Sequence, residues 1–383
     1  MVDFAVVGGG PVGLLCAVAL QRLGRSVTLI ERHSSTRCET RSIGVHAASL
    51  ARLEQLGLLE QFLARGVRIE RGVAVGSRGL LGAIDFRLAS RRFGFALAIP
   101  QPQTEALLER AGRVLGVRVL RGASLVGLVQ RGDRVELELE RERLSARYLL
   151  ACDGARSSVR ALLGIGTRRQ RLPGSYVMAE FPNTPALGQD AYIYLADRGL
   201  VESFPLPHER RRWVVEAPAR RDHVELVELC AWVGQRTGHV LDPQAGSQPS
   251  AFGLVQALAD RFREDRTLLL GDAAHVVSPF GGQGMNLGWL DAFALADLAV
   301  ERWTNAGLDD RTLDHWARQR RRAAKAALRQ AALNTRIGHR SALPRARNAI
   351  VRVALSGALA KLWSRRIAML SLDSSPTLAR PAR

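Results

Sequence analysis

The run Phe4-Ala5-Val6-Val7 leads directly into Gly8-Gly9-Gly10-Pro11-Val12-Gly13, and nothing else in the 383-residue chain restricts its fold as strongly. Apolar residues at helical spacing follow from about Val12 to Leu23, and Gly24 ends that helix. A second strand, Ser26 to Ile30, stops at Glu31. Gly8, Gly10 and Gly13 therefore fit Gly-x-Gly-x-x-Gly at a strand-to-helix turn. In such a turn one glycine makes the bend, one lets backbone approach a pyrophosphate, and one packs helix on strand. The first N–H groups of the helix then face the phosphates. Glu31 stands where a carboxylate accepts hydrogen bonds from a ribose. The binding candidates are Gly8, Gly10, Pro11, Val12, Gly13, Glu31 and the adjoining Arg32. The competing reading is a glycine-rich turn that only packs, and the motif by itself does not separate NAD from FAD.

That separation comes from residues 271–286, Gly-Asp-Ala-Ala-His-Val-Val-Ser-Pro-Phe-Gly-Gly-Gln-Gly-Met-Asn. They follow a short apolar strand, Thr267 to Leu270, and lead into an apolar helix expected to start near Met285. Asp272, at the strand's end, is placed to bond a ribityl chain. Gly281, Gly282 and Gly284 allow backbone to approach a flat ring. The positive end of the following helix, with Met285 and Asn286 in its first turn, would favour negative charge on the ring's pyrimidine edge. A turn carboxylate and a plain loop are the bland alternatives. Cys152-Asp153-Gly154 lies between the two glycine segments, and the combination points to an FAD enzyme rather than a simple NAD dehydrogenase.

The rest of the chain reads as α/β. A second helix is expected at about 47–56, a helix at 101–115, and strands at 117–121, 125–130, 134–140 and 147–151. Residues 67–97 look like short strands. From 174 to 217 the pattern turns to period two, which suggests an antiparallel sheet with Tyr192, Tyr194, Phe204 and Trp213 as candidate substrate walls. Ordinary sheet packing explains these aromatics equally well, and alternation puts Tyr192 and Tyr194 on one face. A helix is expected near 222–235, and residues 308–370 read as helical, broken at Pro344. The expected division is a cofactor domain in three parts (1–72, 98–172 and 265–340), a substrate domain in two (73–97 and 173–264), and a C-terminal helical segment, 341–383.

Hydrophobic content of 47% with 24% charged residues describes a folded globular chain. The net charge of +19 comes almost wholly from arginine, since Lys325 and Lys361 are the only lysines. Arg210-Arg211-Arg212 is expected at a hairpin tip, and Arg318 to Arg322 on a solvated helix face. An anionic membrane surface is a weaker reading of these runs. The basic residues are spread along the chain and no nucleic-acid module is visible, so no nucleic-acid partner is expected. The four cysteines form no Cys-x-x-Cys pair, and no metal is expected. There is no basic leader and no apolar run of about 18 residues, so a cytoplasmic location is expected. His275 is read as a capping or packing residue.

Taken together, these motifs resemble the single-component FAD-dependent aromatic hydroxylases, the para-hydroxybenzoate hydroxylase family. Gly8 to Gly13 with Glu31 looks like its ADP-binding fingerprint, and Asp153-Gly154-Ala155-Arg156-Ser157-Ser158-Val159-Arg160 is similar to its Asp-Gly motif. Gly271-Asp272, with Pro279 and Gly281 to Asn286, looks like its second FAD motif. Arg41 resembles the arginine that meets FAD after the second strand, and Gln103 the glutamine that touches the cofactor. Pro279 resembles the proline beside the reactive edge of the flavin; a rigid loop corner is its alternative. The resemblance implies a Rossmann-like FAD-binding domain (GR2 type) with an inserted antiparallel sheet. It also implies non-covalent FAD, NADPH or NADH as electron donor, and O2 activated as a flavin C4a-hydroperoxide. An aromatic or polyketide-like small molecule would be hydroxylated. Halogenase, prenyl reductase and non-enzymatic carrier are the alternatives. The Trp-x-Trp-x-Ile segment expected of a halogenase is absent from the sequence.

Overall fold

The computed structural model describes residues 1–35, 42–219, 221 and 223–372. Its first sheet has the strand order Arg263–Glu264, Thr267–Leu269, Arg143–Ala151, Val2–Val7, Val27–Glu31, Arg118–Arg121. Apart from the edge strand Arg263–Glu264, these strands run parallel. A hairpin, Leu125–Gln130 with Val135–Leu139, continues the sheet from Arg143–Ala151. Parallel strands are buried on both faces and are built from unbroken apolar runs. Phe4, Ala5, Val6, Leu149, Leu150, Leu268 and Leu269 are accordingly all fully buried. Each such large side chain contributes about 1.5–3 kcal/mol when removed from water.

The register sets the position of the site. Val7 lies opposite Ala151 and Ile30, Ala151 opposite Leu269, and Ile30 opposite Leu120. The parallel strands thus finish along a common edge, and Gly8, Glu31, Cys152 and Gly271 leave the sheet side by side. Helices Pro11–Arg22, Gln101–Val114 and Gln283–Glu301 pack together against this sheet.

The second sheet has the order His275–Val276, Ser250–Ala259, Thr167–Pro182, Arg210–Glu216, Gly199–Leu206, Ala191–Ala196, Arg71–Gly76, Gly79–Asp85. It is antiparallel except where Ala191–Ala196 meets Arg71–Gly76. The strands expected within 67–97 thus contribute to it from far away in sequence, while Gly44–Val45, Ala96–Ala98 and Val67–Ile69 form a small third sheet. The helix expected at 222–235 forms at Leu226–Thr237, where Glu225 and Glu228 make a capping box. The C-terminal region folds as Asp310–Gly338, Pro344–Ala354 and Gly357–Ile367, with Pro344 opening its helix.

Two arginine runs differ from expectation. Arg210 does close a hairpin, opposite Leu206, but Arg211 and Arg212 continue into the strand and are 0% and 3% exposed rather than solvated. Arg211 donates from Nε to Asn183 Oδ1 at 2.6 Å, from Nη1 to Ser203 Oγ at 2.8 Å, and from Nη2 to Gly188 O at 2.8 Å. Arg320 is equally buried, and its Nε donates to Asp291 Oδ1 at 2.8 Å. The guanidinium's five donors satisfy several interior acceptors at once. Part of the positive charge is therefore internal. Among the described residues, no helix is long and apolar enough to cross a membrane.

Candidate functional site

Glycine at two positions of the first turn is demanded by contact. Gly8 has φ +112°, and a Cβ there would lie 2.3 Å from Cys152 O. A Cβ on Gly13 would lie 1.9 Å from Gly8 O, so the helix can approach the strand end only without a side chain. Gly10 is different: nothing lies within 4 Å of where its Cβ would be. Its open side faces the groove lined by Gly8, Gly9, Gly10, Pro11 and Val12. Gly10 caps helix Pro11–Arg22, and no side chain bonds the first-turn N–H groups. They remain free for an anion. Glu31 is fixed nearby, with Oε2 accepting from Gly9 N at 2.6 Å and Oε1 from His33 N at 2.8 Å. Arg32 is exposed along the same groove. Arg41 lies outside the described residues.

The Asp-Gly turn adjoins this one, since Cys152 N donates to Val7 O at 2.8 Å. Asp153 Oδ2 accepts from Ser158 Oγ and Val159 N, both at 3.1 Å, while its buried Oδ1 has no partner. Arg160 connects this turn to the third one. Its Nη1 donates to Ala273 O at 2.8 Å and its Nη2 to Ala155 O at 3.0 Å. Burial lowers the Arg160 pKa from its usual value.

The Gly-Asp turn rests on a buried ionic group. Asp291 is fully buried, and its Oδ2 accepts from His275 Nε2 at 2.6 Å and from Gly271 N at 3.2 Å. Burial pushes the Asp291 pKa up, but His275 and Arg320 outweigh it and hold the carboxyl below the usual carboxylate range. His275, expected to cap or pack, thus opens the strand His275–Val276 with its ring paired inside the protein. Asp272 and Pro279 are exposed at the groove, whose lining also includes the half-buried Gly281, Gly282 and Gly284 and the buried Met285. Helix Gln283–Glu301 starts at Gly282, also without a side-chain cap. The groove therefore receives the positive ends of two helices.

Five expected site residues are placed elsewhere. Asn286 does not line the groove. It is fully buried, and its side chain is saturated: Oδ1 accepts from His46 N at 2.9 Å, and Nδ2 donates to Gly44 O and Gly282 O at 2.8 Å each. It holds two groove loops together. Tyr192, Tyr194 and Trp213 are on the opposite face of the antiparallel sheet from the cavity. Tyr194 and Trp213 pack in a separate core with helix Leu226–Thr237, and Tyr192 packs against it. Alternation put these aromatics together, but on the outer face. Phe204 does line the cavity. Gln103 is also absent from the groove, where Gln101 and Glu105 stand instead. Residues two apart on a helix lie on different sides, whereas residues four apart share one. Gln101 Oε1 accepts from Ser42 N at 3.2 Å.

Sequence reasoning missed Asp291, the real cavity wall, the tie that Arg160 of the Asp-Gly motif makes to the third turn, and His46. His46 Nε2 donates to Gly281 O at 2.8 Å. Burial lowers its pKa, against the raising effect of the Gly281 and Gly282 backbone, so the ring stays neutral near pH 7. A helix-capping position before Ala47 was the only signal available. The groove opens into a cavity, for a combined volume of about 1620 Å³. Its wall includes Met178, Ile193, Phe204 and Val214 from the sheet, with Ile337, Leu355 and Trp363 from C-terminal helices. Pockets for drug-sized ligands measure roughly 300–1,000 Å³, so this space has room for a large cofactor and a second molecule. Among the described residues no group of three or more His, Cys, Asp or Glu is placed to hold a metal.

Comparison with known proteins agrees with this geometry. The FAD binding domain family matches residues 1–331. A rifampicin monooxygenase of Streptomyces venezuelae is 37% identical over 323 residues, covering 81% of this chain and 67% of that protein. A 3-(3-hydroxy-phenyl)propionate/3-hydroxycinnamic acid hydroxylase of Klebsiella pneumoniae is 31% identical over 363 residues, covering 92% of this chain and 64% of that one. The chain therefore spans about two-thirds of the length of these relatives. The crystal structure of the p-nitrophenol 4-monooxygenase of Pseudomonas putida has the same fold, with a TM-score of 0.84 at 24% identity over 97% of this chain and 98% of that one. With two uncapped helix ends, an unpartnered Asp153 oxygen and a long groove matching what FAD requires, the chain belongs to the family of FAD-dependent aromatic hydroxylases.

Proposed function

We propose that this protein is an NAD(P)H- and O2-dependent monooxygenase that hydroxylates an aromatic or polycyclic small molecule. The observation that carries this reading is the joining of three separate turns into one groove continuous with an apolar cavity. FAD, when bound, supplies the redox chemistry that takes electrons from the nicotinamide and activates oxygen.

The chain's own residues bind, orient and exclude water. In our reading the first-turn N–H groups of helix Pro11–Arg22 receive the pyrophosphate, and Glu31 takes a ribose hydroxyl. Asp153 Oδ1 and the Asp272 carboxylate accept from the rest of the cofactor's chain. Gly282, Gly284 and Met285, at the start of helix Gln283–Glu301, stabilise negative charge on the ring. Pro279, which lines the groove, would be placed to position the bound ring. Met178, Phe204 and Val214, which line the adjoining cavity, would exclude water from it. The relatives' names favour oxygen insertion over halogenation or prenyl reduction.

The test is oxygen consumption by FAD-loaded protein supplied with NADPH or NADH. Consumption matching nicotinamide oxidation, accelerated by an aromatic substrate, is expected. Electron transfer to a prenyl double bond without oxygen would overturn the proposal. Asp272→Ala should weaken FAD retention about tenfold, as loss of one charge-assisted hydrogen bond predicts.

A further inference from the structure

The cavity face of the antiparallel sheet carries a carboxyl group that no other described residue uses. One row across the sheet reads Met178, Val214, Glu202, Ile193, Ala74, each paired with the next on neighbouring strands. All five line the cavity. Four are apolar and the central one is a glutamate. In the adjacent row on the same face, Glu180, Arg212 and Phe204, the charge is answered: Arg212 Nη2 donates to Glu180 Oε1 at 2.6 Å. Glu202 has no hydrogen bond or ion pair with any described residue.

Burial alone pushes the Glu202 pKa up to about 8. At pH 7 this group is a neutral acid, which both donates and accepts hydrogen bonds. The other titratable groups nearby do not change this. Glu180 and Arg212 are paired with each other. The Tyr176 hydroxyl, raised by burial and then by Glu216 and Glu202, is also neutral. His46 and Asp272 belong to the cofactor end.

We propose that Glu202 recognises the substrate by hydrogen-bonding a hydroxyl group on its ring system, while Met178, Val214 and Ile193 pack against the apolar ring. The inference rests on the hydroxylase reading above and assigns to Glu202 the discrimination of a ring hydroxyl from other substituents. A hydroxyl matches a group that donates and accepts. A carboxylate finds no free cation in this row, because Arg212 is committed to Glu180. An apolar ring leaves the acid without a partner, which a buried polar group does not tolerate well.

Calorimetric titration of FAD-loaded protein at pH 7 tests this with three probes on one ring system: 2-naphthol, 2-methylnaphthalene and 2-naphthoate. Wild-type protein should bind 2-naphthol about tenfold more tightly than 2-methylnaphthalene, or about 1.4 kcal/mol. It should also prefer 2-naphthol to 2-naphthoate. Glu202→Leu should bring the 2-naphthol preference to within about twofold, and Glu202→Gln, which still donates and accepts, should keep most of it. Glu202→Leu should also melt at a higher temperature, because it removes an unpaired polar group from an apolar wall. An unchanged naphthol preference in Glu202→Leu, a wild-type preference for 2-naphthoate, or a lower melting temperature in Glu202→Leu would each overturn the proposal. Failure of the hydroxylase reading would look different. It would show as wild-type protein that takes up no FAD, or consumes no oxygen, before any probe is added.

Discussion

The parallel-sheet edge and the antiparallel-sheet face meet around one cavity, yet they are built by different means. The edge is made of backbone: glycines that let strand, turn and helix touch, and N–H groups left open at two helix starts. The face is made of side chains chosen by alternation, and the same strands carry cavity residues on one side and core residues on the other. Phe204 and Val214 look into the cavity while Trp213 and Tyr194 look away. Backbone chemistry leaves a fixed local pattern in the sequence. A wall made by alternation is defined only once the strands are paired.

The edge should be far less tolerant than the face, and substitutions can break that contrast. Asp291→Ala should have the largest effect. It strips the partner from His275 and Arg320 in the interior and should cost about 3–5 kcal/mol in denaturant unfolding. The same carboxyl gives a pH signature. Its folded pKa lies below the unfolded value of about 4, so its contribution is present above that value and is lost as pH falls through the folded one. Wild-type protein should therefore lose stability below about pH 4 more steeply than Asp291→Asn. Gly13→Val comes next. Its Cβ would overlap Gly8 O, which costs roughly 3 kcal/mol and displaces the turn; the purified variant should carry no flavin. Arg160→Met should leave the fold standing but weaken FAD binding about tenfold, because the second and third turns lose their tie. Tyr192→Phe should change substrate affinity by less than about twofold, since its ring faces away from the cavity. A large effect there would erase the distinction between the two faces.

How much was legible in the sequence follows from the same contrast. Gly8 to Gly13, Asp153 and Gly271 to Met285 could be read directly, because tight turns and uncapped helix starts permit few residue types. The strands of the parallel sheet were visible as apolar runs, and most element ends fell within a few residues. Gln103 was misplaced by two positions on a helix, which is enough to turn it off the groove and bring Gln101 on. Asn286 was correctly set in the first helical turn, but the bonds that consume its side chain come from His46 and Gly44, some 240 residues away in sequence. Glu202 gave no signal at all. An isolated glutamate in a strand reads as a solvent-facing residue until Val214 and Ile193 are placed on either side of it.

The central claim is that three distant turns form one binding groove for FAD. The most direct measurement is equilibrium dialysis of the purified protein against FAD, followed by its absorbance spectrum and the flavin released on heating. The account predicts a yellow protein that retains one FAD per chain and releases it unmodified. Protein that stays colourless in excess FAD, with its fold intact by circular dichroism, would contradict it.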